Sequence, residues 1–357
     1  MAGTNPVPAS SNDCSVCIVQ PVLKQYRVPF FLELERVLLD QGIRLCVVYG
    51  TPWRGEEARG DHADLPSPLG RKVRSFMLFG RLLVIPVMRP WLKAELVVVE
   101  HANKNMLNFL LAFLRGLGLK KLAYWSHGRD RQADPGSRGE QFKRRTLHWA
   151  DWWFAYTAES AAYVASQGFS RDRITVVENA IDTASLRADL ESVTAEEIRG
   201  MRAALGWSAS ERVGLYCGSL YANKRLDLLF EAAERVHREM PEFRLLIVGG
   251  GALSTEVETF AAGHDWVRAV GPRFGHEKSV LLRMSCMWLN PGALGLGILD
   301  AFCAGLPMLT TRQSTHGPEI EYLEHEVNGL LLDGTAQAYA EGMLRVLRND
   351  DLTTRLV

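Results

Sequence analysis

The chain alternates short apolar segments with helical patterns, and it does so in two separate series. In the first half, CSVCIVQ, IRLCVVYG and AELVVVE alternate with segments of helical periodicity. The alternation restarts at RVGLYCGS and continues through FRLLIVGGG and CMWLNPG. Strict alternation predicts parallel sheets covered by helices on both faces. We therefore predict an α/β protein with two doubly wound, Rossmann-like domains that face each other across a cleft.

A polar segment between the two series sets the predicted domain boundaries. We assign 1–182 to the first domain, 183–211 to an interdomain linker with some helix, and 212–357 to the second domain. A chain of 357 residues suffices for two domains of ordinary size. Ligands of such sheets bind beyond the carboxyl ends of the strands, which makes the cleft the expected substrate site.

Composition and charge restrict the classes of partner. The sequence is 47% apolar and 23% charged, as in globular proteins. Residues 1–178 hold 24 Lys and Arg against 17 Asp and Glu, and the remainder holds 17 against 24. The basic first half predicts an anionic partner, either a membrane surface or an acidic acceptor. Nucleic acid is not expected, because the excess is modest and no binding motif accompanies it.

Targeting and cysteine patterns favour a cytoplasmic protein. The polar start carries no secretory signal, and no uninterrupted apolar run reaches about 20 residues. Cys14 and Cys17 form one C-x-x-C, but no second pair follows at zinc-site spacing. We expect reduced, buried thiols at this strand.

Two cations follow the first strand of the second series. In GLYCGSLYANKRLD, Gly218 and Ser219 come directly after the strand, and Lys224 and Arg225 stand at the start of the next helix. Cations beside a helix N-terminus predict an anion site, although a solvated helix start with surface cations gives the same pattern. The later run IVGGGAL allows close approach of a ligand or of backbone, or forms a plain turn.

The segment NPGALGLGILDAFCAGLP predicts a second part of the same site. A glycine-rich loop precedes a helix that carries Asp300 about one turn from its start. A carboxylate there can accept hydrogen bonds from the diol of a ribose, and bare amides and cations suit a diphosphate. The sequence therefore predicts a nucleoside-diphosphate site. Its expected donor-binding residues are Gly218, Ser219, Arg273, Gly292, Ala293, Leu294, Gly295 and Asp300.

These motifs, taken in order, resemble a known family. GSLYANKRLDLLFEA, NPGALGLGILDAFCAGLPMLTT and HGPEIEYLEHEVNGLLL are similar to the nucleotide-binding domain of retaining GT-B glycosyltransferases of the family 4 type, glycosyl transferases group 1. YWSHG and VVENAID match the first domain more loosely. The resemblance implies transfer of a sugar, with retention, from a nucleotide-sugar donor to a glycan or lipid-linked acceptor in polysaccharide or glycoconjugate biosynthesis.

The sequence departs from this family at three positions. Ser219 stands where the family has arginine, and Gly292 stands where it has the first acid of a paired-acid motif. The second acid of that motif is Asp300 in place of the family's glutamate. We expect Arg225 to supply the missing cation. A non-catalytic GT-B subunit and a GT-B epimerase or phosphorylase remain alternatives. A nicotinamide-dependent dehydrogenase is not favoured, because CIVQPV carries no G-x-G-x-x-G.

The remaining predicted site residues lie in the first half. The resemblance places His127 near the transferred sugar, so the expected catalytic residues are Lys224, Arg225 and His127. Tyr26, Arg27 and Arg129 are expected to bind the acceptor, although Tyr26 and Arg27 also suit a plain surface loop. No D-x-D motif is placed on a strand-end loop, and we expect neither a metal ion nor another cofactor.

One further segment of the first half is basic and apolar together. Gly70–Lys93 combines six cations with large apolar residues. This pattern predicts peripheral contact with an anionic membrane, or else a buried helix and strand with exposed cations.

Overall fold

The computed structural model describes residues 15–53, 61–86, 89–129, 136–312 and 315–357. Among them the chain divides into two compact units. The first takes in the described residues up to Gly128, Arg138–Ala155 and Val164–Thr175, and the second takes in the others. Each unit has a parallel sheet, which confirms the predicted pair of Rossmann-like domains.

The first sheet has seven parallel strands in the order β3-β2-β1-β6-β7-β8-β9. Its strands are β1 Val16–Gln20, β2 Leu45–Gly50, β3 Gly70–Val73, β6 Leu96–Val99, β7 Lys121–Ser126, β8 Trp152–Ala155 and β9 Ile174–Val176. An antiparallel hairpin joins β4 Phe76–Leu78 to β5 Leu82–Val84. The helices are α1 Val28–Leu39, α2 Arg89–Lys93, α3 Met106–Gly116, α4 Arg138–Thr146 and α5 Ala158–Ser166, with 3₁₀ turns at Gln25–Arg27, Leu147–Trp149 and Arg171–Arg173.

The second sheet has six strands in the order β12-β11-β10-β13-β14-β15. They are β10 Arg212–Cys217, β11 Phe243–Val248, β12 Val267–Ala269, β13 Met287–Asn290, β14 Met308–Thr311 and β15 Gly329–Leu332. The helices are α6 Thr183–Ser192, α7 Ala195–Ala204, α8 Leu226–Glu239, α9 Ser254–Ala262, α10 Gly275–Arg283, α11 Gly297–Cys303, α12 Ala336–Arg348 and α13 Asp350–Arg355, with 3₁₀ turns at Ala222–Lys224 and Pro318–Tyr322.

Apolar runs become the central strands because both faces of a parallel sheet are covered. Each of the six residues of β2 is buried, and β13 is buried throughout. In the second unit, Leu229 of α8 and Tyr339 of α12 belong to one apolar layer, and Leu282 of α10 and Ile298 of α11 belong to another. The sheet thus holds its strand ends rigidly, which fixes the loops that follow them.

The segment 183–211 forms two helices of the second unit. A capping box of Thr194 and Glu197 starts α7, because each side chain bonds the other residue's main chain. Leu190 and Trp207 are buried in the core of this unit. This segment therefore packs as part of the second unit's helical layer.

The basic, apolar segment Gly70–Lys93 forms β3, the hairpin and α2 where it is described. Trp91 is fully buried, while Phe79 at the hairpin tip is 86% exposed. Cys17 is buried on β1, and Cys14 lies outside the described residues. Among the helices that the structure describes, none is both long and apolar enough to cross a bilayer.

Candidate functional site

The strand ends of β10 and β11 are joined by a close contact of main chains. A Cβ on Gly249, whose φ is +149°, would lie 1.8 Å from the carbonyl oxygen of Gly218. The Gly218 N–H donates to Val248 at 2.9 Å, and the Leu220 N–H donates to Gly250 at 3.0 Å. The run IVGGGAL is therefore glycine-rich because the neighbouring loop approaches it closely.

Lys224 lies in a 3₁₀ turn between β10 and α8 and reaches the loop that follows β13. Its Nζ donates a hydrogen bond to the carbonyl of Ala293. The Ala293 N–H in turn donates to the carbonyl of Asn223 at 2.8 Å. Burial of the ammonium lowers the pKa of Lys224, and the negative charge of Glu319 opposes this shift. The structure thus brings Lys224 to the predicted glycine-rich loop.

Gly292 is packed against the turn that carries Lys224. A Cβ at this position would lie 2.2 Å from the carbonyl carbon of Lys224 and 2.4 Å from the carbonyl oxygen of Asn223. Real side chains cannot approach main chain so closely, so any other residue would displace the turn. The acid that the family resemblance places here has no room, which gives its absence a physical reason.

His316 holds the same loop from the other side. The Leu294 N–H donates to His316 Nδ1 at 3.0 Å, and Nε2 donates to the carbonyl of Thr311 at 2.7 Å. Since one ring nitrogen accepts and the other donates, the buried imidazole is neutral. Gly317 adds a bond from its N–H to the Leu294 carbonyl at 2.8 Å. The motif HGPE is part of the family resemblance, but the sequence alone indicated no role for His316.

The main-chain N–H groups of the loop divide into used and unused donors. Those of Ala293 and Leu294 are bonded within the protein. Among the described residues, those of Gly295 and Leu296 have no hydrogen-bond partner. Two adjacent donors beside the Lys224 turn can bind an anion.

Asp300 lies on α11 and forms an ion pair that the sequence did not predict. Its Oδ1 is 2.6 Å from Nζ of Lys278 on α10, and the two side chains are 16% and 21% exposed. The second carboxylate oxygen can still accept hydrogen bonds. Beneath the pair, burial raises the pKa of the Cys217 thiol to about 12. Cys217 is therefore an uncharged neighbour of this site at neutral pH.

A buried network connects Glu319 to the segment VVENAID. Asn179 Nδ2 donates to Glu319 Oε1 at 2.6 Å, and the Asn179 N–H donates to the hydroxyl of Tyr322 at 3.1 Å. Glu319 is only 4% exposed. VVENAID and HGPE both resemble family motifs, but a contact between them could not be inferred from the sequence alone.

The other predicted site residues of the second unit form hydrogen bonds or ion pairs with other residues of the chain. Arg225 has a left-handed backbone, with φ of 52°, and donates to the Gly334 carbonyl at 3.0 Å. Arg273 pairs with Glu277 at 2.7 Å. Ser219 is exposed, and its carbonyl accepts from Tyr216. Arg129 pairs with Glu159.

The predicted residues of the first unit lie near the ends of β1 and β7. Arg27 is buried, donates to Gln20 Oε1 at 2.7 Å, and lies 4.4 Å from the centre of the Trp125 ring. Its Nε donates to the hydroxyl of Tyr26 at 3.0 Å. His127 directly follows β7.

A second, buried histidine of this unit, His101, was not singled out from the sequence. Burial lowers the pKa of His101 to about 3, and the nearby charges of Lys143 and His127 add to this shift. Its Nε2 is 2.9 Å from the hydroxyl of Thr146. His101 is therefore a neutral core residue and not a proton carrier at neutral pH.

Solved structures resemble the chain over nearly its whole length. A glycosyltransferase from Rickettsia africae has 14% identity and a TM-score of 0.69, with 97% of this chain and 92% of that chain covered. Anabaena Alr3699/HepE in complex with UDP-glucose has 16% identity and a TM-score of 0.64, with 96% and 92% covered. The lipopolysaccharide outer core galactosyltransferase WaaB has 14% identity and a TM-score of 0.61, with 95% and 93% covered. These likenesses confirm the GT-B fold.

Two sequence families match the two halves of the chain. The family described as Glycosyltransferase Family 4 matches residues 30–185, and the family described as Glycosyl transferases group 1 matches residues 211–349. No curated protein matches by sequence. Together the two matches span most of the chain and include Lys224, the glycine-rich loop and Asp300. The chain belongs to the group 1, family 4-like glycosyltransferases.

Proposed function

We propose that the protein transfers a hexose from a nucleoside-diphosphate sugar to a glycan or lipid-linked acceptor, with retention and without a metal ion. The observation that carries the proposal is the contact of Lys224 with the loop at Gly292–Leu294, at the carboxyl ends of two neighbouring strands. Open α/β sheets bind their ligands at such strand ends.

The arrangement suits departure of a diphosphate. When the anomeric bond breaks, negative charge develops on the leaving phosphate oxygens. The charge of the Lys224 ammonium and the dipoles of the unused N–H groups of Gly295 and Leu296 are already in place. They can therefore stabilise this negative charge without any rearrangement of the site during the reaction. These protein groups supply the positive charge that a metal ion provides in other transferases, so turnover is expected to continue in excess chelator.

Asp300 and its neighbour Lys278 suit the ribose. The free oxygen of Asp300 can accept from one hydroxyl, and Oδ1 retains a lone pair for the other. The UDP-glucose complex of the Anabaena relative supports UDP-sugars as the first donors to test. The likeness to WaaB supports a glycolipid acceptor and a role in glycoconjugate assembly.

We propose further that the protein is cytoplasmic and makes peripheral contact with an anionic membrane, and the basic first half supports this contact. Residues 1–178 carry seven more cations than acids. A surface of this charge is attracted to anionic lipid within about a Debye length. A lipid-linked acceptor would be presented at that surface.

A non-catalytic GT-B subunit is the second candidate, because Gly292 leaves no space for the family's first acid. The two candidates are separated by incubating the protein with labelled nucleotide sugars, with and without a glycolipid extract. Transfer predicts a labelled product only when acceptor is present, with the donor's anomeric configuration by NMR. Binding of nucleotide without any turnover would favour the non-catalytic subunit, and a changed sugar without acceptor would favour an epimerase.

A further inference from the structure

Helix α3 of the first unit exposes its apolar side. Met106, Leu110, Phe113 and Leu117 recur at intervals of three and four residues and are 38%, 38%, 63% and 57% exposed. Residues at this spacing share one face of a helix. The opposite face is buried and contains a polar residue, Asn108, which donates to the Glu100 carbonyl at 2.9 Å. Leu107 and Leu111 lie on the same buried face, so α3 is apolar on both faces, and its exposed apolar face is unfavourable in water.

Phe79 at the tip of the β4–β5 hairpin is exposed, and its backbone conformation is unfavourable for a bulky residue. Its φ is 52°, and Gly80 beside it has φ of 66°. A hairpin turn whose two central residues both have positive φ favours Asn or Asp before Gly, because a bulky side chain is strained at positive φ. The ring is 86% exposed, so packing does not compensate. Phe79 is a large apolar residue that is both exposed to water and held at positive φ, and such a residue suggests a function for its side chain.

The hairpin and the helix are tied together and lie in a strongly basic stretch. The Leu83 N–H donates to the Lys104 carbonyl at 2.7 Å, one residue before the Asn105 cap of α3. Residues 70–121 hold ten Lys and Arg against two Glu. The exposed cations of this stretch include Arg71, Arg74, Arg81, Lys104 and Lys121, whereas Lys72 pairs with Asp64 at 3.0 Å.

We propose that the outer face of α3 and the tip at Phe79 form a lipid-docking surface that binds anionic bilayers. The apolar side chains would enter the interfacial region, and nearby cations of the chain, such as Arg81 in the hairpin turn and Lys104 directly before the α3 cap, would contact lipid phosphates. Charge complementarity selects this occupant over a symmetric dimer, because a second copy that docked through the same face would bring the same excess of positive charge to the contact. The inference gives the proposed membrane contact a defined surface, but it uses no residue of the nucleotide site.

The test is flotation of the full chain with vesicles of phosphatidylcholine alone and of an equal mixture with phosphatidylglycerol. Wild type is expected to float with the mixed vesicles and not with the neutral ones. Phe79→Ser and Phe113→Ser are each expected to weaken partitioning about tenfold, the effect of withdrawing one buried aromatic side chain. Arg81→Glu is expected to weaken flotation with the mixed vesicles, because it reverses one charge that faces the anionic lipid.

Matched controls are Val327→Ser and Arg238→Glu, exposed residues of the second unit. Both are expected to float like wild type. Thermal melts and UDP affinity of every variant are measured on the same samples, so loss of folding or of the nucleotide site is detected separately. The proposal is overturned if wild type does not bind the mixed vesicles or if the α3 and tip variants float like the controls. It is equally overturned if sedimentation shows a dimer that Phe113→Ser dissociates.

Discussion

The Cα of Lys224 lies 2.3 Å from the place where a Cβ on residue 292 would stand. The glycine and the lysine turn are therefore built around each other. The family's first acid is absent here because the main chain that presents the lysine occupies its space. The proposed donor site therefore lacks that carboxylate.

Gly292→Ala is the most direct test of this contact. The new methyl group must push the Lys224 turn away, so we expect the free energy of unfolding to fall by about 1–3 kcal/mol and UDP affinity to drop with it. Gly295→Ala is the matched control, because a Cβ there meets nothing within 4 Å. Chemical denaturation of the two variants checks the prediction, and equal stability would contradict it.

The pH dependence of turnover should report the charge of Lys224. Burial lowers its pKa, so the ammonium loses its proton at a lower pH than an ordinary lysine, and kcat is expected to fall as pH rises through that value. Glu319→Gln removes the charge that opposes the shift. We therefore predict that this variant moves the alkaline limb of the kcat profile to lower pH, while the exposed control Glu324→Gln leaves it in place.

Measuring stability over the same pH range distinguishes deprotonation of Lys224 from alkaline unfolding as the cause of lost activity. In the alkaline window the unfolded chain binds more protons at this lysine than the folded chain does, so this group makes unfolding less favourable as pH rises. Loss of activity together with loss of structure in the same window would refute the assignment to Lys224.

Asp300 and Lys278 should act on the ribose and not on the diphosphate. Asp300→Asn is expected to weaken UDP binding about tenfold, the effect of losing a charged hydrogen-bond acceptor, and to change the affinity for 2′,3′-dideoxy-UDP little. Lys278→Met should show the same selectivity in smaller measure, because it removes the partner that orients the carboxylate. Calorimetry with the two nucleotides measures both, and equal losses for UDP and the dideoxy analogue would exclude a ribose contact.

His316→Ala tests the support of the loop. The substitution removes the acceptor of the Leu294 N–H and leaves that buried donor unpaired, which costs about 1–3 kcal/mol. We expect a lower melting temperature and a raised KM for the donor. His325→Ala is the matched control, because its Nδ1 also accepts a main-chain N–H, that of Leu331 at 3.1 Å, but at an exposed site where water can replace it. A raised KM at unchanged melting temperature would show that His316 contacts the ligand itself.

The sequence predicted the sheets well, because buried parallel strands are apolar runs that can be recognised locally. It did not predict β3, whose GRKV carries two cations at the sheet edge, or the hairpin, whose exposed Phe76 and Phe79 resemble core residues. Contacts between residues that are distant in the chain could not be predicted from the sequence either. The bond from Asn179 to Glu319 joins residues 140 positions apart, and Lys278 is an ordinary surface-type residue until the fold brings it to Asp300.

The proposed function depends on the Lys224 turn and the glycine-rich loop, which are expected to hold the diphosphate of a nucleotide. Its most direct test is calorimetric titration of wild type and Lys224→Met with UDP, GDP, ADP and dTDP. We predict that wild type binds at least one of them and that Lys224→Met, while folded, binds it at least about tenfold more weakly. If wild type binds none of the four, or if the folded variant binds with unchanged affinity, Lys224 does not hold a nucleotide diphosphate.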